Sequence, residues 1–225
     1  MSIRAERTSA ASMRSSGPPP CRSSGDVFDV QITTVAELAS ASSRSSSATS
    51  PTRSMSSMIT AAGRSATRAW VTSSQTELAD HIEGHYHAGL RRDLPPLIEA
   101  ARKVERVHAT KPGVPSGLAD VLTEFFAEMQ SHMGKEEKIL FPMIRRSERA
   151  EAVYMPVRMM EGEHDSHREQ LVKIRELTDD LRLPVHACAT WTALYHGLET
   201  VEAELMQHIH LENNLLFSRA TRGAG

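Results

Sequence analysis

Between residues 75 and 220 apolar positions recur at intervals of three and four, the period of helices with one buried face. Four stretches carry that period. The first covers about 77–107, with Leu78, Ile82, Leu90, Leu94, Leu97 and Ala101 on one side and a kink expected at Pro95 and Pro96. Residues 111–116, which include Pro112, Gly113 and Pro115, break it. The second, about 117–146, carries Leu118, Leu122, Phe125, Met129, Ile139, Leu140 and Met143. The third, about 152–181, carries Val157, Met160, Leu171 and Ile174, and the fourth, about 187–219, carries Leu194, Leu198, Val201, Leu205, Leu215 and Leu216. Four amphipathic helices of roughly 30 residues joined by short loops predict an all-α fold, an up-down-up-down four-helix bundle.

Two of these stripes are interrupted by polar residues. In the second helix the positions 118, 122, 125 and 129 continue through His132 and Glu136, and in the fourth 194, 198, 201 and 205 continue through His208 and Glu212. Each pair is His-x-x-x-Glu, which puts both side chains on one face about one turn apart. Buried without partners, such groups cost several kcal/mol. A cation removes that cost. Glu128 and Glu204 extend both segments to Glu-x-x-x-His-x-x-x-Glu, and His87-x-x-x-Arg91-x-x-Leu94 on the first helix matches His164-x-x-x-Arg168-x-x-Leu171 on the third. His87 precedes His132 by 45 residues and His164 precedes His208 by 44. The pattern is a duplicated helical hairpin, each copy giving two histidines and one glutamate to a shared site. Four imidazoles and two carboxylates exceed what one tetrahedral zinc takes and suit two iron ions bridged by both glutamates. The expected pairing is within each hairpin, His87 with His132 and His164 with His208. Glu137, one residue off the stripe, is expected not to affect the metal.

Composition divides the chain near residue 75. Twenty of its 25 serines precede that point, with eight arginines, no lysine and four acidic residues, so this part carries about +4 within an overall net charge of −2. It has no amphipathic period and is expected to be disordered apart from a short helix around 35–39, so that a chain starting at Gln75 should keep the fold. The near-neutral balance argues against nucleic acid as a partner. No apolar run reaches the roughly 18 residues needed to cross a bilayer, and no signal peptide is apparent. Cys21 and Cys188 lie too far apart in sequence to suggest a cysteine framework, an expectation that fits a cytoplasmic location. Of the other histidines, His81 and His85 read as helix surface; His108 lies about 31 Å along the helix from His87 and is too far to share its metals. His167 faces the core beside His164, while His186, His196 and His210 read as solvent-facing.

Residues from about 77 to 220 closely resemble the hemerythrin-like domain of the repair-of-iron-centres family. The matching text is Asp80-His81-Ile82, Tyr86-His87, Lys103 to His108, Ser131-His132-Met133, Lys135-Glu136-Glu137, Ile139 to Ile144, Met160 to Asp165, Ala187 to Trp191 and His208 to Phe217. The resemblance implies metal ligands at His87, His132, Glu136, His164, His208 and Glu212, with Glu128 and Glu163 as acidic residues beside the site. It implies two non-haem iron ions, carboxylate-bridged and oxo-bridged when oxidised. Small diatomic ligands, nitric oxide and oxygen, and damaged iron-sulfur proteins are the partners it implies, in a nitrosative or oxidative stress response. The competing readings are a hemerythrin-type module that binds or senses oxygen or nitric oxide without repair, and a metal-free structural bundle.

Family members usually begin with a small domain bearing an adjacent cysteine pair, and residues 1–75 show none. With suitable codons, residues 54–64 read in a shifted frame give His-Glu-Leu-Asp-Asp-Tyr-Cys-Cys-Gly-Arg. Part of this segment is therefore expected to be a degenerate cysteine domain read out of frame. The nucleotide sequence across codons 30 to 75 decides the point: one frame should encode paired cysteines, and their absence from all three would end the idea.

Overall fold

A computed structural model describes residues 70–222, all helix, turn and loop. The expectations for the serine-rich segment, including its short helix around 35–39, lie outside the described residues up to residue 69. Helix α1 spans 75–107 as Gln75–His81, a π-helical turn Ile82–His87 and Ala88–Val107. Helix α2 spans 118–145 as Leu118–Lys135, the π turn Glu136–Leu140 and Phe141–Arg145. Helix α3 is Ala150–Leu177, and α4 spans 189–220 as Ala189–Leu211, the π turn Glu212–Phe217 and Ser218–Ala220. Helix α1 runs on through Pro95 and Pro96.

Contacts between helices run in opposite directions along each neighbouring pair. Arg91 reaches Glu137 and Arg102 reaches Thr123 between α1 and α2. His132 meets Glu163 and Glu128 meets Gln170 between α2 and α3. His164 meets Asn213 and Arg175 meets Glu202 between α3 and α4. Helix α4 closes the ring onto α1, where a Cβ on Gly197 would run into the Leu97 side chain. The topology is thus up-down-up-down.

Local chemistry accounts for the ends. Gly117, at φ 85°, supplies the left-handed turn that opens α2. Helix α3 stops at Leu177, four residues before the expected Leu181, because Asp179, Asp180 and Leu181 take φ of 49°, 58° and 57°. The Thr178 hydroxyl accepts the Leu181 N–H at 3.2 Å and steadies that turn.

Residues just before 75 also pack on the bundle. Arg219 donates to the carbonyls of Trp70, Val71 and Ser73, and the Trp70 indole stacks on His81 with ring centroids 4.2 Å apart. Ser74 and Glu77 form a capping box at the start of α1. A chain starting at Gln75 would lose all of these. Hydrogen bonds from Ser74, backbone first, hold the Glu77 carboxyl below its usual range. Such a group stabilises the fold above its unfolded pKa, and the contribution is lost as pH falls through the lower folded value. Ser74→Ala should therefore lower Tm by about 2–4 °C at neutral pH. The part of the difference carried by the bond from the Ser74 hydroxyl to the Glu77 carboxylate should be lost by about pH 3, leaving the part due to the Glu77 N–H bond to Ser74 Oγ, and thermal melts of both proteins check it.

Candidate metal centre

The six residues expected as metal ligands meet in one layer across the bundle. His87 comes from α1, His132 and Glu136 from α2, His164 from α3, and His208 and Glu212 from α4; each is at most 1% exposed. Apolar clusters close the layer on both sides. One contains Leu90, Leu122, Phe125, Met129 and Leu205, and the other contains Ile82, Tyr86, Phe141, Met160 and Phe217.

Within the layer the ligand atoms form two groups, each with all members within 4.8 Å of one another. His87, Glu136, His208 and Glu212 make one, and His132, Glu136, His164 and Glu212 make the other. The two Nε2 atoms of each histidine pair lie 3.2 Å apart (His87, His208) and 3.1 Å apart (His132, His164). Glu212 spans both groups, its Oε1 2.9 Å from His208 Nε2 and its Oε2 3.1 Å from His164 Nε2. Glu136 Oε2 sits 3.3 Å from His87 Nε2 and 3.4 Å from His132 Nε2. The expectation of pairing within each hairpin was wrong. Each group takes one histidine from each copy of the repeat, because α1 flanks α4 as well as α2 and the facing imidazoles meet across the hairpins.

The family described as the hemerythrin HHE cation-binding domain matches residues 63–220. An iron-sulfur cluster repair protein YtfE of Citrobacter koseri is 49% identical over 154 residues, covering 68% of this chain and 70% of the relative. Its counterpart from Escherichia coli O157:H7 is 48% identical over the same length. The chain belongs to the hemerythrin-like repair-of-iron-centres family.

In this family member three π-helical turns flank the layer. Glu136 and Glu212 each open one and His87 closes the third. A π turn inserts one residue into a helical turn and shifts everything after it around the axis. Ile139, expected in the core, is consequently 55% exposed, while Leu140, Phe141 and Ile144 are buried in its place. The apolar period alone gives no sign of that insertion.

The outward nitrogens of three histidines are held by acceptors. His87 Nδ1 donates to Glu137 at 2.8 Å, His132 Nδ1 to Glu163 at 2.9 Å, and His164 Nδ1 to Asn213 Oδ1 at 2.9 Å. With the proton on Nδ1, each Nε2 turns a lone pair inward. Glu137, expected not to affect the metal, thus stands in contact with a site histidine; Arg91 also grips it through two bonds of 2.7 and 3.0 Å. Glu163 stands beside the site as expected, also bonded to Lys135, whereas exposed Glu128 is bonded to Gln170 away from the layer. His167 is buried but belongs to neither group, packing edge-on against His132 at 4.8 Å and against Phe125. Burial, then the neighbouring His132, lowers its pKa to about 3, so it is neutral. His108 packs against Trp191 and approaches Cys188 at the far end of the bundle. His186 and His196 are exposed, and His210 is half-buried.

Burial drives the pKa of His87 and His132 down to about 4, leaving both imidazoles neutral and free to act as ligands. It pushes Glu136 well above the carboxylate range, and the adjacent Glu212 charge adds to the effect. Burial works against Glu212 too, but His208 and His164 outweigh it and hold that carboxyl well below the usual range. Burial likewise opposes ionisation of Glu137 and Glu163, yet bonds from Arg91 and His87 and from Lys135 and His132 keep both low. Neither oxygen of Glu136 has a hydrogen-bond partner. A buried carboxyl left in that state, among inward lone pairs, fits a cation bound between the two groups. In metal-free protein Glu136→Leu should accordingly raise stability by about 1–3 kcal/mol, since it removes an unsatisfied buried group of similar size. Chemical denaturation of the chelator-treated variant and parent measures this.

Proposed function

We propose that the protein holds two non-haem iron ions, one at His87 and His208 and one at His132 and His164, with Glu136 and Glu212 bridging them. It then serves in the repair of iron-sulfur clusters damaged by nitric oxide or oxidants, in the cytoplasm. The observation that carries this reading is the sharing of both buried glutamates by two otherwise separate histidine pairs. Relatives named as iron-sulfur cluster repair proteins support it over a purely oxygen-binding role. No helix among the described residues is long and apolar enough to cross a membrane.

Bound there, iron would supply redox capacity and affinity for nitric oxide and oxygen. The chain's own residues set the rest. Glu137, Glu163 and Asn213 orient three imidazoles, and the two apolar clusters keep bulk water from the layer. Nitrogen and oxygen donors hold iron without any thiolate, and the acceptor in repair is a thiolate- and sulfide-lined site that binds iron with softer ligands. That difference favours transfer outward, with iron as cargo.

Protein purified after growth in iron should contain about two irons per chain. Glu136→Ala or Glu212→Ala should remove most of the metal, and Glu137→Ala should weaken affinity by about 10–100-fold. Chelation should lower Tm, because binding to a site formed only on folding stabilises the fold. Iron-loaded protein, added to a nitric oxide-damaged [4Fe-4S] enzyme with sulfide and a thiol reductant, should restore its activity, and the Glu136→Ala variant should not. Equal recovery with both proteins would overturn the reading.

A further inference from the structure

The two histidine pairs are related by the internal repeat, and the repeat assigns each outer contact a counterpart. His87 corresponds to His164 and His132 to His208; Glu137 corresponds to Asn213, and Tyr86 to Glu163, since each of the last two precedes its ligand histidine. Glu137 and Asn213 do the same task, accepting from His87 and His164. Glu163 and Tyr86 do not. Glu163 accepts from His132 Nδ1 at 2.9 Å, whereas Tyr86 lays its ring flat on His208, with centroids 5.5 Å apart and planes 6° from parallel. A ring face offers no acceptor in the plane of the imidazole. His208 Nδ1 is buried and has no hydrogen-bond partner, unlike its three equivalents.

We infer that the two metal positions are unequal and that the one at His87 and His208 is the labile position, from which an ion leaves first. Without a cation, the His208 Nε2 proton is donated to Glu212 Oε1, 2.9 Å away. To act as a ligand through Nε2, His208 must give up that bond and carry its proton on Nδ1, where nothing receives it. His132 and His164 incur neither loss, because Glu163 and Asn213 already hold their protons outward. Loss of one such outer contact typically weakens metal binding 10–100-fold. The inference rests on the two-ion reading above and specifies which half of the centre gives up its cargo.

Cobalt(II) tests it on the full chain without any assay of repair. Metal-free protein loaded with two equivalents is challenged with excess EDTA, following visible absorbance and the cobalt retained. Cobalt should leave in two phases of equal amplitude with rates at least about 10-fold apart. Tyr86→Glu, which places a carboxylate where Glu163 stands in the other half, should slow the fast phase and leave the slow one unchanged. Glu163→Leu should speed the slow phase and leave the fast one unchanged, and Tyr86→Phe, which keeps the stacked ring, should alter neither. Release in a single phase by the parent protein overturns the inference. So does a fast phase insensitive to Tyr86→Glu in a folded variant, or a slow phase insensitive to Glu163→Leu. Retention of two equally held ions refutes only the inequality, whereas fewer than two ions bound by the parent defeats the two-ion reading and this one together.

Discussion

Six ionisable side chains, two of them carboxyls, lie fully buried in one layer across the middle of the bundle, and everything around them answers to that constraint. An apolar core of the same volume would be easier to stabilise. A buried polar layer persists when its groups are paired or bind a cation. Here the pairing is partial: three imidazoles have outer acceptors, Glu212 is held by two histidines, and Glu136 has no hydrogen bond. The apolar clusters on either side then supply the stability that the layer does not.

The crossing of histidine pairs between hairpins has a mechanical consequence. Had each hairpin carried its own pair, either could hold an ion alone, and the bundle could open without releasing it. Because every group draws on α1 with α4 or on α2 with α3, and on both glutamates, an ion bound there would tie the two copies together. Metal occupancy and bundle closure would then be one equilibrium. The π turns serve the same end, re-aiming the layer within helices that otherwise keep the ordinary period.

The internal repeat gives the scaffold its symmetry, and the outer contacts depart from it. Glu137 faces Asn213 across the pseudo-two-fold, and Glu163 faces Tyr86. Charge and hydrogen bonding therefore differ between the halves even though the inner ligands are the same types. Repair by iron transfer would need a centre that both holds and yields metal, and the unequal halves proposed above would satisfy both demands without a moving part.

Much of this was legible in the chain. The three-and-four period defines helices whatever they pack against, and His132 with Glu136, or His208 with Glu212, stands out because polar residues in an apolar stripe must be compensated. The internal repeat added His87 and His164. The pairing was not legible, since spacing along the chain does not say whether a histidine on α1 meets one on α2 or on α4; only the packing of four helices selects. The π turns were hidden for a similar reason: inserting one residue changes which of Ile139, Leu140 and Phe141 is buried, and all three are apolar. Glu137 looked peripheral on a helical wheel, yet the partner helix brings His87 Nδ1 to it. Sequence spacing determines which side chains share a face of one helix, but a hydrogen bond between helices depends on their relative rotation and height, and these are set by the packed core as a whole.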